Sequence, residues 1–286
     1  MSPTSMKFFT ACSIVLLQLN AGTPTAASAN TKKEPAYYRQ RDGRAVRATA
    51  RAAGDPVVVN AASFEPGVSP GGLATIFGTG LSLVTGVVVA NTNPFPLQLA
   101  DVSVLVNGVY AAIFSVAYAN GEDQISFQVP YETPTGPGAA SIEIRSNGNT
   151  VGFITADSFT EDPGIFMYGG RYAVAARGTD YSLIGPQNRA RPGEVIIVYT
   201  TGLGPLSLNL VDGYGAPSDP LAYTIDPFQV VVDGEQAQVL FSGLAPGFVG
   251  LYQLNIRLPF DLRAGNLDLQ ILSQYANSAI ATLPVE

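Results

Sequence analysis

The chain has 286 residues, a formal net charge of −7, 1 Cys and 0 His. Without His, Ser–His–Asp and Cys–His catalysis are excluded, and a single Cys (Cys12) also excludes an intrachain disulfide and the usual zinc sites. From residue 52 onward, 7 Arg stand against 20 acids, a formal charge of −13. This balance argues against nucleic acid as a partner of the folded part.

The first 29 residues are typical of a secretory signal peptide. Lys7 gives the positive start, residues 8–19 are apolar but too few to span a bilayer as a helix, and residues 27–29 supply a small-x-small cleavage pattern. We expect cleavage between Ala29 and Asn30, and hence an exported protein with no transmembrane segment in the mature chain. A lipoprotein signal at Cys12 is a poorer alternative, because Cys12 lies inside the apolar stretch.

Residues 30–55 are basic, rich in Ala and nearly free of large aliphatic side chains. This composition predicts a solvated, flexible linker. Arg44, Arg47 and Arg51 would share one face if the segment were helical. That spacing leaves open an arm that contacts an acidic polymer, an anionic membrane surface or the acidic domains behind it.

Past residue 56, short alternating runs of apolar and polar residues recur between Gly, Pro, Asn and Asp. Such runs predict β-strands rather than long helices. Asn107-Gly108 and Asp233-Gly234 each lie between two of these runs. They predict type I′ hairpins, because both turn positions of that type need a positive φ.

The two halves of this region carry the same features in the same order. "VSPGGLATIFGTGLS" (68–82) matches "ARPGEVIIVYTTGLG" (190–204), and "VNGVYAAIF" (106–114) matches "VDGEQAQVL" (232–240). "QISFQVPYETPTGPG" matches "QLNIRLPFDLRAG", which aligns Gln124 with Gln253 and Pro130 with Pro259. Repeated order of this kind predicts a tandem duplication.

Each repeat has the length and strand rhythm of an immunoglobulin-like sandwich, without the Cys and Trp of antibody domains. We therefore expect an all-β protein: two tandem immunoglobulin-like β-sandwiches after a signal peptide and basic linker. Sandwich 1 is predicted at 56–160 and sandwich 2 at 161–286, with 161–190 as a hairpin or bridge.

The segments "ARPGEVIIVYTTGLGPLS", "DGYGAPSDPLA", "VDGEQAQVLFSGLAPGFVGLYQLNIRLP" and "AGNLDLQI" resemble the Solibacter-type uncharacterised C-terminal domain of secreted acidobacterial proteins. The resemblance runs from about Asn60 to the C-terminus, and the repeats are also similar to IPT/TIG-type immunoglobulin-like domains. It implies secretion and a β-sandwich fold. It implies no catalytic or binding residues.

Three sets of acids are candidates for carboxylate chemistry: Glu122 with Asp123, Glu161 with Asp162, and Asp212 with Asp219. Paired carboxylates can hydrolyse glycosides without His, but acids in Gly- and Asn-rich turns are typically solvated. We predict no catalytic residue, no cofactor and no metal site. Weak calcium binding at 120–123 or 211–215 stays an open alternative.

Tyr214 and Phe248 are the aromatic residues that we expect in loops, where they would stack on sugars or contact a protein. The alternative is hydrophobic packing between the sandwiches. Gln124 and Gln253 are predicted to fasten strand corners by bonding the loop backbone that crosses there.

These features favour a secreted, non-enzymatic module that binds or adheres at the cell surface or in the matrix, through loops or an exposed strand edge. Its partner would be an unknown extracellular protein or glycan. A structural spacer or assembly subunit is the alternative, and a polysaccharide-acting enzyme that uses carboxylates is a remote third.

Overall fold

The computed structural model describes residues 37–39, 45–47 and 55–286. The predicted signal peptide and its cleavage site at Ala29 and Asn30 lie outside the described residues. Within the predicted linker, strands β1 (Tyr37–Arg39) and β2 (Ala45–Arg47) pair in antiparallel fashion. In the described part of the chain, no helix is long and apolar enough to cross a membrane.

Sandwich 1 consists of two antiparallel sheets packed face to face. Its strands are β3 (Val57–Asn60), β4 (Leu73–Gly78), β5 (Val87–Val89), β6 (Val102–Val106), β7 (Val109–Tyr110), β8 (Ile113–Ala119), β9 (Glu122–Gln128), β10 (Gly136–Ser146) and β11 (Asn149–Ser158). A five-stranded sheet has the order β3-β4-β9-β8-β5, and a four-stranded sheet has the order β11-β10-β6-β7. Alternate residues such as Val104, Ile125 and Ile142 are buried between them, as the period of two predicts.

Sandwich 2 repeats this arrangement with additional strands at its edges. Its strands are β12 (Gly164–Ile165), β13 (Met167–Tyr168), β14 (Tyr172–Ala173), β15 (Ala175–Arg177), β16 (Val195–Thr201), β17 (Gln229–Val232), β18 (Glu235–Leu244), β19 (Tyr252–Arg257), β20 (Gly265–Leu272) and β21 (Ala281–Val285). The strand order is β12-β16-β19-β18-β17-β20-β21-β14-β13, and β15 also pairs with β16.

The long strand β18 connects both sheets of sandwich 2. Its residues 235–237 pair with β17, and the residues from Gln238 onward pair with β19, with an irregularity between Val239 and Phe241. In sandwich 1 the same run is interrupted at Ala111 and Ala112, so it forms the separate strands β7 and β8. The segment predicted as a bridge also contributes strands to both sheets of sandwich 2. Strands β12 and β15 pair with β16 in one sheet, whereas the β13–β14 hairpin pairs with β21 in the other.

Strand register confirms the predicted duplication. Phe77 pairs with Gln124 in sandwich 1, and the aligned residues Tyr199 and Gln253 pair in sandwich 2. On the opposite sheets, Val106 pairs with Ile142 and Val232 pairs with Leu269. Because a slip of one residue would turn every side chain to the other face, equal register means that both copies bury equivalent positions. The all-β class with two tandem immunoglobulin-like sandwiches is therefore confirmed.

The two predicted hairpin turns are also confirmed. Asn107 and Gly108 have φ values of 50° and 83°, and Asp233 and Gly234 have φ values of 53° and 86°. These positive angles are those that a type I′ turn requires, and they match the right-handed twist of the flanking strands.

A third apolar cluster lies between the two sandwiches. It contains Leu73 and Phe114 from sandwich 1 together with Phe166, Ile197 and Tyr199 from the following part of the chain. Each fully buried large side chain of this kind contributes roughly 1.5–3 kcal/mol. The sandwiches are therefore packed against each other and not merely tethered.

Candidate functional site

The outer face of the four-stranded sheet in sandwich 1 carries one row of side chains that crosses all four strands. Phe153 on β11 pairs with Glu143 on β10, Glu143 pairs with Leu105 on β6, and Leu105 pairs with Tyr110 on β7. Phe153 is 66% exposed and Tyr110 is 43% exposed. We call these four residues the aromatic row.

A polar network lies beside this row. Arg145 Nε donates to Glu143 Oε1 at 2.8 Å, and Arg145 Nη2 donates to Glu143 Oε2 at 3.0 Å. Thr150 Oγ1 donates to Glu143 Oε1 at 2.5 Å, and Arg145 Nη1 lies 3.4 Å from the Tyr110 hydroxyl. The hydrogen bonds from Arg145 and then Thr150 lower the pKa of the Glu143 carboxyl, so the network presents a paired guanidinium and carboxylate.

The network opens into a shallow cavity of about 350 Å³. Its lining residues are Leu97, Gln98, Ser103, Tyr110, Arg145 and Gly148. Together with the aromatic row, the cavity offers exposed aromatic side chains, hydrogen-bond donors and hydrogen-bond acceptors on the outer face of a sheet. Small-molecule and polymer sites combine groups of this kind.

Sandwich 2 lacks this chemistry at the equivalent positions. Comparison of the strand pairing in the two sandwiches places Gln270 at the position equivalent to Glu143, and Leu272 at the position equivalent to Arg145. The hairpins align Tyr110 with Gln236 in the same way. The duplication thus preserves the fold in both copies, while the ion pair and the tyrosine occur in the first copy.

The loop at 211–216, which we call the docking loop, connects sandwich 2 to sandwich 1. The backbone N–H of Gly213 donates to Gln128 Oε1 at 2.7 Å, and the Phe95 N–H donates to the Gly213 carbonyl at 2.8 Å. Asp212 Oδ1 accepts from the Tyr131 N–H at 3.0 Å. Burial raises the pKa of the Asp212 carboxyl, with a smaller increase from the charge of Glu132, although the bond from Tyr131 lowers it.

The predicted acid pairs have separate structural environments. Asp123 is buried and accepts from the Leu81 N–H at 2.9 Å and from the Ser82 hydroxyl at 2.7 Å, whereas Glu122 is exposed. Asp212 belongs to the docking loop, and Asp219 is exposed.

Glu161 and Asp162 are buried beside the crossing from one sandwich to the other, where the Asp162 carbonyl accepts from Asn60 Nδ2 at 2.8 Å. The expectation that these turn acids are solvated is therefore wrong for Asp123, Glu161 and Asp162. The reason is that each lies where backbone from another part of the chain crosses it.

The calcium hypothesis gains no support from the structure. Within residues 37–39, 45–47 and 55–286, no group of three or more His, Cys, Asp or Glu side chains is arranged to hold a metal ion. In the 211–215 segment, the Asp212 carboxylate is already hydrogen-bonded to the backbone of Tyr131.

The two predicted loop aromatics occupy different surroundings. Tyr214 is 54% exposed, although its neighbours Gly213 and Gly215 hold sandwich 1 through Gln128 and Asn93. Phe248 is half-buried and packs against the apolar cluster between the sandwiches. Its placement matches the packing alternative given above.

The predicted strand-corner role is wrong for Gln253, and the Gln124 Nε2 has no hydrogen-bond partner in the described part of the chain. Both side chains are buried on the outer faces of their sheets, and Gln253 Nε2 donates to the Asn255 side chain at 3.2 Å instead of a loop backbone. The fastening Gln is Gln128, four residues further along β9 from Gln124. No sequence motif distinguished Gln128, because its partner is the remote backbone of Gly213.

Sequence reasoning also missed Tyr110, Glu143, Arg145 and Phe153. The signal available was the alignment of the two repeats, in which these outward positions are charged or aromatic in the first copy and Gln or aliphatic in the second. These outward positions differ between the two copies, whereas the shared core positions account for the common fold.

No family model and no curated protein matches this chain. The resemblance to the Solibacter-type family therefore stays a prediction. Among solved structures, the chain is similar to the Bacteroides ovatus mixed-linkage glucan utilization locus SGBP-B in complex with a mixed-linkage heptasaccharide, at 13% identity and a TM-score of 0.30, over 77% of this chain and 42% of that one.

The I9–I11 tandem from titin is similar at 14% identity and a TM-score of 0.20, over 76% of this chain and 61% of that one. The Yersinia pseudotuberculosis adhesin InvE is similar at 10% identity and a TM-score of 0.20, over 77% and 56% of the two chains. The chain spans less than two thirds of the length of each of these structures. Likeness at this level assigns no function, and the strand pairing itself defines the fold.

Proposed function

We propose that this chain is a non-enzymatic binding module of an exported protein, and that it contacts its ligand through the aromatic row and the adjoining cavity. The observation that carries the proposal is the exposed pair of rings, Tyr110 and Phe153, on either side of a guanidinium–carboxylate pair on a rigid sheet. Exposed aromatic and Arg side chains dominate the energetics of binding surfaces.

The acids support binding rather than catalysis. Asp123 bonds the β4–β5 loop, and Asp212 bonds the backbone of Tyr131, so each has a structural partner. Glu143 is paired with Arg145, which lowers the pKa of its carboxyl. A general acid needs a raised pKa near the working pH, which is the opposite direction for Glu143. Burial does raise the pKa of the Asp212 carboxyl, but its Oδ1 is bonded to the backbone of Tyr131.

A test uses the full mature chain and immobilised extracellular polymers: a neutral β-glucan, an acidic polysaccharide, peptidoglycan and a collagenous protein. We expect retention on one of these polymers, and loss of retention in Tyr110→Ala. Tyr275→Ala is the matched control, because Tyr275 is 53% exposed and lies in sandwich 2. Retention that Tyr110→Ala leaves unchanged, or no retention on any polymer, would overturn the proposal.

A spacer role is the second candidate, and the apolar cluster between the sandwiches favours it. A rigid pair of sandwiches would hold flanking partners at a fixed separation. Small-angle scattering of the mature chain tests it: one fixed distance distribution supports a rigid spacer, and a broad one contradicts it.

A further inference from the structure

The aromatic row has a length and direction that restrict what binds it. It crosses β11, β10, β6 and β7 in register. Since neighbouring strands lie about 4.8 Å apart, Phe153 and Tyr110 are separated by roughly 14 Å across the sheet. A ligand that contacts both rings is therefore extended and lies perpendicular to the strands.

The charges on this face restrict the ligand further. Arg145 and Glu143 are joined by two hydrogen bonds, so their charges offset each other locally. Recognition of phosphate or carboxylate ligands uses an Arg fork that is free to bind bidentately, and here that fork is directed at Glu143. The paired groups still offer N–H donors and carboxylate acceptors at their edges, which suits an uncharged ligand that both donates and accepts hydrogen bonds.

The exposed rings favour a ligand that has apolar surface of its own. Tyr110 is 43% exposed and Phe153 is 66% exposed, but the ion pair interrupts the apolar surface between them. A protein partner typically covers a continuous apolar centre surrounded by a polar rim. Alternating apolar ring faces and polar groups instead match a polymer of pyranose rings, which have apolar C–H faces and hydroxyl edges.

We propose that the aromatic row binds a linear, neutral polysaccharide laid across the four strands, with sugar rings on Tyr110 and Phe153 and hydroxyl groups on Arg145 and Glu143. This inference rests on the proposed binding function and adds the class of ligand. Because sandwich 2 has Gln270, Leu272 and Gln236 at the equivalent positions, this site occurs once within residues 55–286.

The test is calorimetric titration of the full mature chain with linear neutral gluco-oligosaccharides of increasing length and with laminarin. We expect one site per chain, and an affinity that rises with length until both rings are covered and then stays constant. Tyr110→Ala and Phe153→Ala should each weaken binding about tenfold, as the loss of one ring contact predicts. Tyr110→Phe should retain most of the affinity, since it keeps the ring and removes the hydroxyl group.

The control variant Tyr275→Ala should bind as the unchanged protein does. Circular dichroism of every variant separates lost binding from lost folding. Binding of an acidic polysaccharide or a protein through Tyr110 would overturn the neutral-glycan inference and leave the binding function standing. Glucan binding that is unaffected in both ring variants would also overturn it, and so would the absence of glucan binding.

Discussion

Gln128 in sandwich 1 accepts a hydrogen bond from the backbone N–H of Gly213 in sandwich 2, at 2.7 Å and with the glutamine side chain fully buried. A buried backbone N–H that loses its acceptor costs free energy, because water cannot replace the partner. This contact is one of those that tie the docking loop to sandwich 1, together with the bond from the Phe95 N–H to the Gly213 carbonyl and the bond from the Tyr131 N–H to Asp212.

Replacing Gln128 with Ala should lower the free energy of unfolding by about 1–3 kcal/mol, the usual cost of leaving a buried donor unsatisfied. Chemical denaturation followed by circular dichroism measures the change. Gln187→Ala is the matched control, because Gln187 is exposed in sandwich 2 and should change stability by less than about 0.5 kcal/mol. Equal stabilities of the two variants would contradict the role of Gln128.

Gly213 itself should tolerate no side chain. Its φ is +79°, and an added Cβ would lie 3.0 Å from the Ala112 Cβ and 3.2 Å from the Phe95 carbonyl oxygen. Gly213→Ala should therefore cost more than the roughly 1–2 kcal/mol of a left-handed L-residue alone. Gly234→Ala isolates that backbone cost, since Gly234 has a φ of +86° and open space around it. The prediction fails if both variants lose the same free energy of unfolding.

Asp212 should give the protein a measurable pH dependence. Its carboxyl has a folded-state pKa raised above 3.8, chiefly by burial. In the window just above pH 3.8, the folded state therefore binds more protons than the unfolded state. The contribution of Asp212 to stability is fully present below this window, and it is lost as the pH rises through the folded-state pKa.

Asp212→Asn should reduce this dependence, because the amide oxygen can still accept from the Tyr131 N–H but does not titrate. Thermal unfolding between pH 3.5 and pH 7, in roughly half-unit steps as the carboxyl range suggests, compares the variant with the unchanged chain. Asp219→Asn is the control, since Asp219 is exposed. An unaltered pH profile in Asp212→Asn would rule out this contribution.

The sequence predicted the features that depend on local pattern. Asn107-Gly108 and Asp233-Gly234 form the expected turns because their backbone preference is intrinsic. The alignment of Gln124 with Gln253 predicted a duplication, and both copies have equal register because alternation of buried residues fixes which face each strand buries.

The same sequence could not predict contacts between remote segments. Gln128 and Gly213 are 85 positions apart, and neither has a neighbour that indicates the other. Glu161 and Asp162 looked solvated for the same reason, since the segments that lie against them, Asn60 and residues 202–204, are remote in sequence. Phe153 and Tyr110 form one row only after β10 and β6 are placed between them.

Asp123 and Glu122 offer a last prediction, which separates a structural acid from a solvated one at adjacent positions. Asp123 accepts from the Leu81 N–H and the Ser82 hydroxyl, so Asp123→Ala would leave a buried donor without its acceptor. It should lower the free energy of unfolding by about 1–3 kcal/mol. Glu122→Ala changes an exposed residue at the start of β9 and should cost less than about 0.5 kcal/mol. Denaturation midpoints of the two variants measure the difference. If Glu122→Ala were the more damaging change, the loop between β4 and β5 would be held by some contact other than the Asp123 carboxylate.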